Sequence, residues 1–137
     1  MCIRDRYKPL FVHDGLAYFS GHLPFLPDGE MVKGKVGENL SVEEGSQAAR
    51  QVGLNVLATV RESLGSLDRV SRVIKLLGMV NAQPDFTQHP QVINGCSELF
   101  RDVWGEDCGV GTRSAFGVSG LPAGACVEIE GVFLLAE

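Results

Sequence analysis

The sequence predicts one α+β domain: a mixed β-sheet with two helices packed on one face. Two segments, from Ser41 to Leu64 and from Pro90 to Trp104, repeat apolar residues at helical spacing. Strand-like runs surround them in the order β-β-α-β-α-β-β. No linker, repeat or low-complexity tract divides the 137 residues, a length that suits one core better than two.

Leu10 to Ser20 holds two short apolar runs around His13-Asp14-Gly15, and Asp-Gly between such runs is a hairpin signal. Gly21 to Asn39 is rich in Gly and Pro, including Pro24, Pro27-Asp28-Gly29, Gly34 and Gly37, and predicts a long surface loop. Loops of that length in compact domains are often functional. Ser41-Val42-Glu43-Glu44 is a capping box that opens the first helix, Ala49, Val52, Val56, Val60 and Leu64 form its buried stripe, and Gly65 stops it. Val70 to Val80 is apolar on both alternating faces and predicts a strand covered on both sides. Pro90 opens the second helix, with Val92, Ile93, Cys96, Leu99, Phe100 and Val103 on its apolar face and Gly105 at its end. Two strand-like runs come last, flanking Leu121-Pro122-Ala123-Gly124-Ala125 as a turn. Two helices on one face leave the other sheet face bare, and its apolar side chains need a partner. The expected state is a homo-oligomer built on sheet faces.

Hydrophobic residues make up 45% of the chain and charged residues 21%, as in an ordinary globular domain. The net charge of −5 argues against non-specific nucleic-acid binding, which needs a basic surface. No apolar run reaches membrane-spanning length and no secretory signal is visible, so no membrane association and a cytoplasmic location are expected. Cys2, Cys96, Cys108 and Cys126 form no C-x-x-C pair and have no His cluster nearby, which predicts reduced thiols and no metal site. Met1 to Arg6 shares no pattern with the rest of the chain and reads like a translated sequencing adapter. The expected domain is therefore residues 7–137, lacking its natural start.

Candidate chemistry concentrates near the C-terminus. Arg113 opens one strand after Gly109-Val110-Gly111; it is either an exposed strand-end cation or a bidentate clamp for a carboxylate. Alternation places Glu128 and Glu130 on one face of the last strand. Glu130 is either solvated or, if its face lines a pocket, a general base. An arginine and a carboxylate on adjacent strands could together hold a small acid and activate water. Ser20-Gly21-His22 lacks a G-x-S-x-G elbow, so Ser20 and Gly21 are read as hydrogen-bonding or turn residues rather than as a nucleophile site. The glycine-rich loops do not form a nucleotide phosphate cradle.

From Tyr7 to Glu137 the chain resembles the RidA/YjgF family, also called the endoribonuclease L-PSP or reactive intermediate deaminase family. The resemblance rests on Ala17-Tyr18-Phe19-Ser20-Gly21-His22-Leu23-Pro24, the Gln47-Ala48-Ala49 helix, Leu64-Gly65-Ser66-Leu67-Asp68-Arg69-Val70, Asp85-Phe86 and Asn94. It is completed by Arg113-Ser114, Leu121-Pro122 and Val127-Glu128-Ile129-Glu130. Gly34-Lys35-Val36-Gly37 and Arg113-Ser114-Ala115-Phe116-Gly117-Val118 point to a less characterised branch. The resemblance implies a chorismate-mutase-like α+β fold, a homotrimer with ligand pockets between subunits, and no cofactor. It implies hydrolysis of enamine and imine acids, such as 2-aminoacrylate and 2-iminopropanoate, to 2-keto acids and ammonia. By the same resemblance Arg113 clamps the substrate carboxylate and Glu130 positions or activates the water. Ser20 and Gly21 line the pocket, Tyr7 closes it and Asn94 stands near it. Ala115 replaces a cysteine common in the deaminases, His22 a common glutamine, and Thr112 a common alanine. Two other functions stay open: a 2-keto acid binder without turnover, and a ribonuclease or translation inhibitor.

Overall fold

The computed structural model describes residues 6–137; the adapter-like segment therefore lies, except for Arg6, outside the described residues. The elements are β1 (Leu10–His13), β2 (Leu16–His22), α1 (Val42–Leu64), β3 (Val70–Asn81), α2 (His89–Cys108), β4 (Thr112–Val118) and β5 (Val127–Leu135). The five strands form one sheet in the order β1-β2-β5-β3-β4, with β3 and β4 parallel and the other pairs antiparallel. Both helices pack on one face. This is the mixed sheet and helix layer that the sequence predicts.

Local chemistry sets the boundaries. Asp14 and Gly15 both take positive φ, 50° and 78°, as a tight hairpin between β1 and β2 requires. At the start of α1 the Ser41 hydroxyl accepts from the Glu44 amide at 3.1 Å, while the Glu44 carboxylate accepts from the Ser41 amide at 2.9 Å. Gly65, at φ 89°, ends the helix. In α2 the expected stop at Gly105 is a break rather than an end: Gly105 takes φ 93°, and one more turn continues to Cys108.

Val52, Val56 and Val60 of α1, Ile93 and Phe100 of α2, and Val80, Ile129 and Phe133 of the sheet are all 0% exposed. Each such burial contributes about 1.5–3 kcal/mol. Phe133 lies 4.8 Å from Phe19, 5.7 Å from Phe100 and 5.2 Å from Trp104, ring centre to ring centre, and so ties the helix layer and the neighbouring strand to the central one.

Two expectations change. The last two runs do not form a hairpin: β4 pairs with β3, and β5 inserts between β2 and β3. Arg113 and Glu130 are thus not on adjacent strands, and β3 stands between them. Within one chain, β3 is also covered on the helix side only. On its other face Leu77 and Met79 are half-buried, and they join Phe11, Tyr18 and Phe116, exposed at 50%, 43% and 41%, across an open apolar sheet face.

Candidate functional site

At one end of the open face a groove forms where β2 meets β5. Phe19 pairs with Gly131 and His22 with Ile129, so Ser20 and Gly21 together oppose one residue of β5. This bulge bends the strand end and re-aims its side chains. It also carries the Gly21 backbone against the Glu128 side chain: a Cβ on Gly21 would lie 2.0 Å from a Glu128 carboxylate oxygen. A side chain at this position would push the Glu128 carboxylate aside. Tyr7, Ser20, Gly21, Glu128, Glu130 and Pro122 line the resulting open cavity of about 720 Å³. The Ser20 hydroxyl donates to the Lys8 carbonyl at 2.5 Å and the Ser20 amide to the Pro9 carbonyl at 3.0 Å, fixing the segment that carries Tyr7.

Burial raises the Glu128 pKa above its ordinary value, and the nearby Glu130 charge raises it further. Glu130 is exposed on the rim of the same groove. Of the two carboxylates, Glu128 therefore has the surroundings that favour holding a proton.

His22 is pinned inside. Its Nδ1 lies 2.6 Å from the Ser20 carbonyl, which can only accept, so Nδ1 carries the proton. In the neutral ring Nε2 then accepts from the Thr59 hydroxyl at 2.8 Å. His22 holds the bulge onto α1.

Arg113 and Asn94 form a second cluster at the opposite edge of the sheet. The register Arg113–Leu76–Gly131 puts Arg113 on the helix face, whereas Glu130–Leu77–Ser114 belongs to the open face. One Arg113 nitrogen donates to Asn94 Oδ1 at 2.7 Å and to the Ser97 hydroxyl at 3.1 Å. These bonds orient the guanidinium without neutralising it, and among the described residues no carboxylate forms an ion pair with it. Arg113 borders a cavity of about 500 Å³, together with Arg101, Glu98 and the Gly109-Val110-Gly111 segment. Asn94 thus acts on the arginine. Ser97 and Arg101 are not among the residues the sequence singles out, although Asn94, Ser97 and Arg101 recur at the spacing of one helix face. In one chain, then, Tyr7, Ser20, Gly21 and Glu130 gather at one site, and Arg113 and Asn94 at another.

The sequence pattern of the family described as "YjgF/chorismate mutase-like, putative endoribonuclease" matches residues 2–137. The chain belongs to this YjgF family. It is 44% identical over 113 residues to "Protein TCP17" of Trypanosoma cruzi, covering 82% of this chain and 71% of that protein. The crystal structure of Atu1372, a protein of unknown function from Agrobacterium tumefaciens, superposes with a TM-score of 0.92 at 38% identity, over 96% of this chain and 85% of that one. A "putative endoribonuclease" from Shewanella oneidensis gives a TM-score of 0.91 at 25% identity, over 98% and 89% of the two chains.

The departures from the common YjgF residues now have physical places. Ala115 lies opposite Gly78 and packs against the core. A cysteine there would stand two residues along the Arg113 face. Thr112 donates its hydroxyl to the Ile74 carbonyl at 2.8 Å, satisfying the irregular stretch of β3. Burial pushes the Cys96 thiol up to about 12 and the Cys126 thiol to about 11, so both side chains behave as apolar groups.

Proposed function

We propose that this chain hydrolyses imino acids and their enamine tautomers, of the 2-iminopropanoate and 2-aminoacrylate type, to 2-keto acids and ammonia. The sites form between copies of the chain in a homotrimer. The observation that carries this reading is the separation of the clusters. An oriented, unneutralised arginine lies on the edge strand β4, toward the helix face, and a half-buried carboxyl with a raised pKa lies on the central strand β5, on the open face. Each is half of the apparatus for a small carboxylate-bearing electrophile. Packing the β4 edge of one copy against the open apolar face of the next buries that surface and brings Arg113 of one copy to the Glu128 groove of the other.

In the joined site Arg113, held by Asn94 and Ser97, binds the substrate carboxylate and fixes the imine carbon. Glu128 takes a proton from water as the oxygen adds to that carbon, and passes it to the nitrogen to which the C=N π electrons move, giving a neutral carbinolamine and a free carboxylate. Glu128 then takes the hydroxyl proton as the C=O bond forms and delivers it to the nitrogen as the C–N bond breaks and ammonia departs. A carboxyl with a raised pKa serves both steps. This assigns the water to Glu128 and leaves Glu130 to tune it. The ribonuclease reading is weaker, because a net charge of −5 opposes a phosphate backbone.

A competition assay tests the reaction. An amino-acid oxidase generates imino acids, semicarbazide traps them, and the purified protein competes for them. Loss of semicarbazone signal that disappears with Arg113→Ala supports the hydrolase. An assembled protein that competes for no imine, small, large or aromatic, yet is stabilised by 2-keto acids would replace it with metabolite binding.

A further inference from the structure

On the other side of the Ser20–Gly21 strand end is a second cavity, of about 530 Å³, which shares Tyr7, Ser20, Gly21, Leu23 and Pro122 with the Glu128 groove. We infer that this chamber receives the substrate's side chain and selects imino acids with large apolar side chains, the size of those of leucine, methionine or phenylalanine. The inference rests on the hydrolase reading for its reacting group, and on the chamber's own walls for its selectivity.

The walls come from α1 and from a small hairpin within the long Gly21–Asn39 loop. Phe25 bridges Met31 across this hairpin, the Leu26 amide donates to the Glu30 carbonyl at 2.7 Å, and the Asp28 side chain accepts from the Glu30 amide at 2.8 Å. Asn55 of α1 holds the hairpin base, donating to the carbonyls of Leu23 at 3.0 Å and Phe25 at 2.9 Å. Phe25 and Met31 thereby face the chamber as a built apolar wall.

The polar side chains on the inner walls, His22, Asn55 and Thr59, are already engaged. His22 and Thr59 bond each other, and the Asn55 amide is occupied by the loop carbonyls and by Gln51. A polar side chain packed against these inner walls would lose water without gaining equivalent bonds, whereas an apolar one loses nothing. Glu62 stands exposed on the chamber lining and adds a repulsive element against a second carboxylate. The cavity lies in the size range of small-molecule pockets and exceeds what a methyl group needs.

The test narrows the chamber from α1 with Ala58→Trp, an exposed lining position, in the full chain. Two readouts are compared with wild type. The first is the ratio of kcat/KM for the leucine-derived imine to that for the alanine-derived imine. The second is thermal stabilisation by 4-methyl-2-oxopentanoate against pyruvate. Wild type is expected to favour the larger compound in both, and Ala58→Trp to cut the kcat/KM ratio by about 10-fold, the scale on which apolar pockets discriminate. Phe25→Ala, which opens the opposite wall, should lower the same ratio. Ratios unchanged in both variants, or a wild type that prefers the smaller compounds, would overturn the chamber. If wild type turns over no imine but shows the large-ligand binding preference, and Ala58→Trp removes it, the chamber stands and the hydrolase reading falls.

Discussion

Glu128 and Glu130 are two residues apart on one strand and share a face, yet their surroundings differ. Glu128 lies against Gly21 where the β2 bulge closes over it, while Glu130 lies on the exposed rim. The raised Glu128 pKa has a stability consequence with a definite sign. A carboxyl with a folded pKa above its unfolded one binds its proton more readily when folded. Stability therefore falls as pH rises from the ordinary glutamate value through the raised one, and stays lower above it. Glu128→Gln should thus raise the Tm at pH 7, with the difference vanishing below the ordinary carboxylate range, and thermal melts across pH check it. The same variant should lower kcat by about 10²- to 10⁴-fold, the usual contribution of a general base. Glu130→Gln removes a charge that raises the Glu128 pKa, so the acid limb of the activity profile should move to lower pH. An unmoved limb would separate Glu130 from Glu128. Alternation made the shared face of the two glutamates legible from the sequence. The choice between them was not, because it depends on a bulge set by long-range strand register. Arg113→Ala should cost roughly 10- to 150-fold in kcat/KM, as expected for lost hydrogen bonds to a charged group, and steady-state kinetics measure it.

At the scale of elements, signals within a few residues were readable. The Ser41 capping box, the Asp14-Gly15 hairpin and the Gly65 stop act through neighbouring backbone, and each has the expected geometry. Strand partnership was not readable. Nothing local tells β4 to join β3 in parallel instead of folding back on β5, and that choice separates Arg113 from Glu130. Close helix packing was equally hidden. A Cβ on Gly95 would lie 1.9 Å from the Ser46 carbonyl oxygen, so the α1–α2 crossing requires a glycine there. Alanine for glycine inside a helix ordinarily stabilises by about 1 kcal/mol. Here the sign should reverse: Gly95→Ala should destabilise by about 1–3 kcal/mol as the helices are forced apart. The urea midpoint reads the direction directly, and an increase would mean that the helices can separate at little cost.

For the whole molecule, the open sheet face and the divided site pose the same question. A chain that keeps its arginine on the edge strand toward the helices and its carboxyl on the central strand's open face, with β3 between them, does not present both to one small substrate alone, and the half-buried Leu77, Met79, Val132 and Leu134 lie on that uncovered face. The bare face was inferable from two helices packing on one side; its relation to Arg113 and Glu128 required the register. If each site takes Arg113 from one copy and Glu128 from the next, two impaired variants should complement each other. Arg113→Ala and Glu128→Gln chains, unfolded together, mixed equally and refolded, would place an intact arginine opposite an intact carboxyl in about one quarter of the sites. Activity should return to about that fraction of wild type, while either variant refolded alone keeps only its own residual activity, at most about one tenth of wild type for Arg113→Ala. Recovery absent from a fully assembled mixture would mean that both groups serve one site from the same copy, or that one of them serves none. Sedimentation of the mixture distinguishes failed assembly from failed complementation, so the activity of the assembled fraction decides between a shared site and a private one.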